Sequence, residues 1–117
     1  MGASDIVRLR NVRTCSRCGH SRIEALVASI PVLCASCHAT QRGVSTIERH
    51  HIAGRSNFDW TISVDVNDHR VLSDLQRRWP TRTLRNPDGD DWIRLSGLLR
   101  GIADFLTLLA MSVEASR

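Results

Sequence analysis

Lysine and tyrosine are absent from this 117-residue sequence, and its aromatic complement is three tryptophans and two phenylalanines. With so few large side chains a small domain builds only a thin core, and such domains are usually stapled by a disulfide or a metal. Also missing is any apolar run long enough to span a bilayer. The best stretch, Phe105 to Met111, is broken by Thr107 and follows Asp104 and Arg100. No apolar h-region lies between Met1 and Arg13, so no secretory signal is read there. The expectation is a soluble, cytoplasmic chain with no membrane partner, whose thiols stay reduced. Apolar and charged fractions of 42% and 24% match ordinary globular usage, which argues against a disordered or collagenous chain.

What the sequence does contain is arginine and cysteine. All sixteen basic residues are arginines, whose rigid fork of donors suits phosphate. Net charge is a weak argument for nucleic acid: four thiolates would remove four charges and one zinc ion would restore two, taking +4 to +2. Distribution says more. Arg8, Arg10, Arg13, Arg17 and Arg22 sit among only two acids, Asp5 and Glu24.

Cys15-x2-Cys18 is followed, after fifteen residues, by Cys34-x2-Cys37. Two such knuckles at this interval fit a tetrahedral structural zinc site. Each knuckle turns two sulfurs towards one point, and the intervening segment folds back to bring the pairs together. His20 or His38 is the alternative fourth ligand. Cys34-Ala-Ser-Cys37-His38 also matches a c-type haem attachment, which needs export. A redox pair would leave the second knuckle unexplained.

The chain reads as one domain in three parts: a zinc-knuckle region over 1–43, a strand–loop–strand–helix unit over 44–80, and an amphipathic helix over 90–116. The basic lead-in suggests a strand from Ile6 to Val12. Ser21 to Ile30 has apolar residues at helical spacing and a Ser21/Glu24 capping box, with Pro31 stopping it. Val44 to Ile52 reads as a strand, and 53–57 as a turn-rich loop. Thr61 to Val66 alternates as a half-buried strand. Asn67 is placed to cap a helix over 68–79, whose buried stripe is Val71, Leu72, Leu75 and Trp79. Residues 81–91 read as a polar linker. In the last helix Leu95, Leu98, Leu99, Ile102, Phe105, Leu106, Leu109 and Val113 line one face. Packing inside the same chain is the favoured use of that face; a partner protein or a second copy is the alternative.

Three histidines fall on the central unit: the adjacent His50 and His51 at the end of its first strand, and His69 in the first turn of its helix. The run Glu48-Arg49-His50-His51-Ile52-Ala53-Gly54-Arg55-Ser56-Asn57, followed by Val64-Asp65-Val66-Asn67-Asp68-His69-Arg70-Val71-Leu72-Ser73, resembles the HNH endonuclease family. The resemblance covers about a quarter of the chain, and roughly half with the upstream knuckles. It implies a ββα-metal finger, so the expected fold is a small zinc-stapled α+β domain with a C-terminal amphipathic helix. It also implies roles: His50 and His69 as ligands of a catalytic divalent ion, and His51 as general base. The family's middle asparagine usually lies about nine residues before the final histidine, where this chain has Trp60 and Thr61; Asn57 and Asn67 are the nearby candidates, and the role is assigned to Asn57. Many members carry cysteines around the final histidine, where this chain has Asp65 and Asp68.

The chemistry is consistent with these roles. Phosphodiester hydrolysis needs an activated water and a counter-charge for the leaving oxygen. Imidazole can deprotonate water near neutral pH, and a divalent ion supplies the charge. Nitrogen ligands leave Mg2+, Mn2+, Ni2+ and Zn2+ all open. Arg49, Arg55 and Arg70 flank the run and suit phosphate contacts. The expected function is therefore metal-dependent nicking or cutting of DNA, with low specificity or targeting by a partner protein. The alternatives are a non-catalytic zinc-finger adaptor for nucleic acid or protein, and a structural subunit of a larger assembly.

Overall fold

The computed structural model describes residues 14–116. The strand expected over 6–12 lies outside them. The architecture is mixed α and β, with two small two-stranded sheets and a long C-terminal helix. The described chain divides into two compact units: residues up to Glu48 with Asp65–Arg70, and Arg49–Val64 with residues from Val71 onwards.

In the first unit a single 3-10 turn, Ile23–Ala25, leads into β1 (Leu26–Val27), which pairs antiparallel with β2 (Leu33–Cys34). This replaces the helix expected over 21–30. Leu26 is opposite Cys34 and Val27 opposite Leu33, so the returning chain delivers Cys34 beside the first knuckle. Ile30, the last residue of the presumed apolar stripe, is 93% exposed. Helix α1 (Ala35–Gln41) follows directly. Cys15, Leu26, Val32, Leu33 and Cys34 form the core of this unit, with Ile23, Ala28 and Cys37 packed on it. Three of the four cysteines are thus part of this unit's core.

Strand β3 (Ile47–His51) is shorter than the expected 44–52 and pairs with β4 (Thr61–Asp65), where alternation places Val64 inside and Thr61 and Ser63 outside. Helix α2 (Val66–Arg77) begins before Asn67 rather than after it. The capping role falls to Asp65, whose Oδ1 accepts from the Asn67 amide at 2.8 Å. Asn67 instead reaches across to α1, where its Oδ1 accepts from the Ser36 amide at 2.9 Å.

The core of the second unit is Val64, Val71, Leu72 and Leu108, with Ile62, Leu75 and Phe105 against it. The expected polar linker contains a short helix, α3 (Thr81–Arg85), entered through Pro80 and ended by Asn86 in the left-handed conformation (φ 39°). Helix α4 (Asp91–Ala115) is capped by Asp90, whose carboxylate accepts from the Ile93 amide at 3.0 Å.

The face that α4 turns inward is not its leucine stripe. Gly97, Gly101 and Leu108 are buried, whereas Leu95, Leu99, Ile102, Leu106, Leu109 and Val113 are exposed. The intramolecular packing expected of that stripe is therefore corrected: only Leu108, Phe105 and their neighbours serve the core. Small residues let the helix backbone approach the turn after β3. A Cβ on Gly97 would lie 2.5 Å from Asn57 Nδ2 and 2.8 Å from Ala53 O, and one on Gly101 would overlap the carbonyl of Ile52. Trp79 Nε1 adds a hydrogen bond to Asp104 Oδ2 at 2.9 Å. Because a backbone carbonyl cannot move aside cheaply, Gly101→Ala should destabilise the protein by about 1–3 kcal/mol in chemical denaturation. Thr107→Ala on the exposed side should stay within about 0.5 kcal/mol.

Candidate metal centre and histidine sites

The sulfur atoms of Cys15, Cys18, Cys34 and Cys37 all lie within 4.8 Å of one another. Among the described residues this is the one cluster of three or more metal-ligating side chains so arranged. Cys18 Sγ and Cys34 Sγ are 3.7 Å apart. A tetrahedron of sulfurs at about 2.3 Å from zinc has edges of about 3.8 Å, so the spacing suits that ion. No disulfide closes the group.

Backbone hydrogen bonds shape each knuckle. Gly19 N–H donates to Cys15 O at 2.9 Å, Cys15 N–H to His20 O at 2.8 Å, and Ser16 N–H to Val32 O at 2.9 Å. Gly19 turns the chain with φ 80°, open to a residue without a Cβ. At the second knuckle Cys34 occupies the N-cap of α1, and its Sγ accepts from the Cys37 amide at 3.4 Å.

The thiols are not equivalent. Burial opposes ionisation of Cys15, but backbone hydrogen bonds at Cys18, Cys34 and Arg17 outweigh it and lower the thiol to about 6. Burial, with the neighbouring thiols, pushes Cys37 up to about 12. One ligand is thus ready as thiolate at neutral pH, and another is held as thiol until a cation displaces its proton.

His20 lies beside the first knuckle, with its Nε2 buried and no hydrogen-bond partner. Burial lowers its basicity, Arg22 lowers it further, and Asp68 and Asp65 act in the opposite direction. His38 sits on α1.

The histidines of the central run divide between the units. In the first, His69 Nδ1 lies 3.2 Å from Glu48 Oε1. Arg70 spends its Nε on the Glu24 carbonyl at 3.0 Å, tying α2 to the turn before β1. In the second, His50 is buried at 5% exposure, and His51 Nε2 lies 3.4 Å from Asp59 Oδ1. The His51 carbonyl accepts from Gln76 Nε2 at 2.9 Å, which holds the end of β3. Asn57 is buried. Its Nδ2 donates to Ala53 O at 2.8 Å and to Thr83 O at 2.9 Å, and its Oδ1 has no hydrogen-bond partner. Arg49 and Arg55 are exposed.

Glu48 and Asp59 are the site neighbours that sequence reasoning gave no role. Glu48 opens the motif run and Asp59 falls two residues after Asn57. Alternation puts Glu48 on the same strand face as His50, but its contact with His69 on α2 is one that local spacing does not encode. Asp59 lies beyond the strand, where no periodicity points. No family model, characterised protein or solved structure matches this chain.

Proposed function

We propose that this chain is a metal-dependent endonuclease of the HNH type, hydrolysing DNA phosphodiester bonds on a frame stapled by zinc. The observation that carries the reading is the order of chemistry along the chain. An adjacent histidine pair ends a strand, a second strand follows, and a third histidine falls in the first turn of the next helix. In this reading the roles are those the resemblance implies: His50 and His69 as ligands of the divalent ion, and His51 as the base for the attacking water. Glu48 supports the assignment of His69. A carboxylate on one ring nitrogen fixes the tautomer and makes the other nitrogen the better ligand. Asn57 acts as a positioning residue, binding the turn that begins two residues after His51. Arg49 and Arg55 contact phosphate, with Arg70 contributing through the nitrogens not engaged at Glu24.

A second reading, a zinc-finger adaptor for nucleic acid or protein, draws on the compactness of the four-cysteine cluster and on Asn57, whose amide already serves two backbone carbonyls. Supercoiled plasmid incubated with the zinc-loaded chain and added Mg2+, Mn2+ or Ni2+ separates the two. The nuclease converts it to nicked or linear forms only with the added metal. Binding without cleavage under every metal supports the adaptor.

A further inference from the structure

The geometry points to a second copy of this chain as the occupant of the exposed face of α4, the two helices pairing as a short coiled coil. Trp92, Leu95, Leu99, Ile102, Leu106, Leu109 and Val113 follow one another at intervals of three and four without a break. That is a period of 3.5 residues over three heptads, the spacing of a seam between two helices rather than of a helix lying on a globular core. All seven are exposed, from 40% for Ile102 to 79% for Trp92. The residues that do face the body of the second unit, Gly97, Gly101 and Leu108, lie on the other side of the helix.

Area favours a two-chain interface. The exposed fractions of the seven side chains amount to roughly 700 Å² of surface per chain, so pairing two such faces would remove on the order of 1,400 Å² from water, within the range of stable protein interfaces. Such a patch exceeds what a soluble monomer ordinarily leaves open. Ser96 and Ala103, beside the seam, are small and line a shallow groove with Leu95 and Leu99. They allow close approach of a partner helix. No charged residue occupies a seam position, so the same face is complementary to itself, as a two-fold interface demands.

A lipid bilayer fits less well. Contrary to the expectation from the sequence, α4 has the length and composition to cross one, but a spanning helix would have to carry Gly97 and Gly101 away from the turn they pack against. A helix lying on a membrane surface ordinarily carries a basic edge. Here Arg94 and Arg100 are outnumbered by Asp91, Asp104 and Glu114.

Sedimentation velocity of the full zinc-loaded chain tests the pairing. The expected result is a species of twice 13.1 kDa, with a dissociation constant of about 10 μM or tighter. The double variant Leu99→Glu/Leu106→Glu places charges in the seam and should weaken association at least about a hundredfold, with zinc content and circular dichroism unchanged. A native chain that stays monomeric at about 100 μM overturns the proposal, as does a folded double variant that dimerises like the native chain. Should the variant misfold, hydrogen exchange of the native protein decides: protection over 92–113 must rise with concentration, and exchange independent of concentration overturns the pairing. A monomeric native chain that floats with phosphatidylcholine–phosphatidylglycerol vesicles assigns the face to lipid instead.

Discussion

Replacing Cys34 with serine is expected to abolish zinc binding and to unfold the first unit. Cys34 is fully buried, takes the N-cap of α1, pairs with Leu26 in the sheet and faces Cys18 across 3.7 Å. It is therefore at once ligand, cap and core. Structural zinc contributes an apparent binding free energy of about 10–16 kcal/mol in small modules at neutral pH. Whole domains are stable by only about 5–15 kcal/mol, so a unit whose core includes the ligands should not survive the loss of the ion. Elemental analysis should find one zinc per native chain and none in Cys34→Ser. Amide exchange should show protection lost over 15–41. A variant that keeps both the metal and its protection would refute the four-cysteine site.

Acid should do the same to the native protein, with a sign set by the thiols. Cys15 ionises more readily folded than unfolded, so its contribution is present above the ordinary thiol range and fades as pH falls through about 6. Cys37 works in the other direction. Its thiol is favoured in the metal-free fold up to about 12, so zinc must expel that proton, and acid resists the exchange. Zinc retention measured against pH should accordingly fall on acidification and be lost most steeply below about pH 6, where Cys15 too becomes a thiol.

The four-cysteine cluster was legible in the sequence because metal chemistry constrains spacing directly: two knuckles separated by fifteen residues suit one tetrahedral ion. Strand β4 and helix α2 were legible because each has one buried face, Val64 on the strand and Val71, Leu72 and Leu75 on the helix. The segment 21–30 misled because Ile23, Leu26 and Val27 fall at helical spacing over a length too short for that spacing to be decisive. What decides the conformation is the pairing with Leu33 and Cys34, a contact that local spacing does not encode. Helix α3 escaped notice because five residues make barely more than one turn. Helix α4 was placed to within a residue or two at each end, yet its inward face was misassigned. Burial there is set by the Gly97–Gly101 approach to the backbone at Ile52 and Ala53. A hydrophobicity pattern registers large side chains, whereas this contact depends on missing ones. At the histidines, type and order were readable in the sequence. Their carboxylate neighbours depend on how β3 and the turn after it present Glu48 and Asp59.

His51→Ala is the substitution with the largest expected effect on activity under the nuclease reading. Loss of a positioned general base costs about 10²–10⁴-fold in rate, and the deficit should lie in the cleavage step rather than in DNA affinity. The fold should be indifferent. What holds residue 51 in place is its carbonyl, which accepts from Gln76 and is untouched by truncating the ring. The ring's contact with Asp59 is 3.4 Å long to a fully exposed carboxylate, and exposed contacts of that kind add little to stability. Denaturation midpoint, zinc content and plasmid binding should therefore match the native protein while nicking under the best added metal disappears. Arg55→Ala supplies the contrasting signature, because an exposed phosphate contact should weaken binding and its salt dependence while leaving turnover at saturating DNA nearly intact. Equal nicking by native and His51→Ala protein would trace the activity to a contaminant and remove His51 from the reaction. A His51→Ala chain that loses its fold along with its activity would instead make the histidine a structural residue, and the carbonyl contact with Gln76 argues against that outcome.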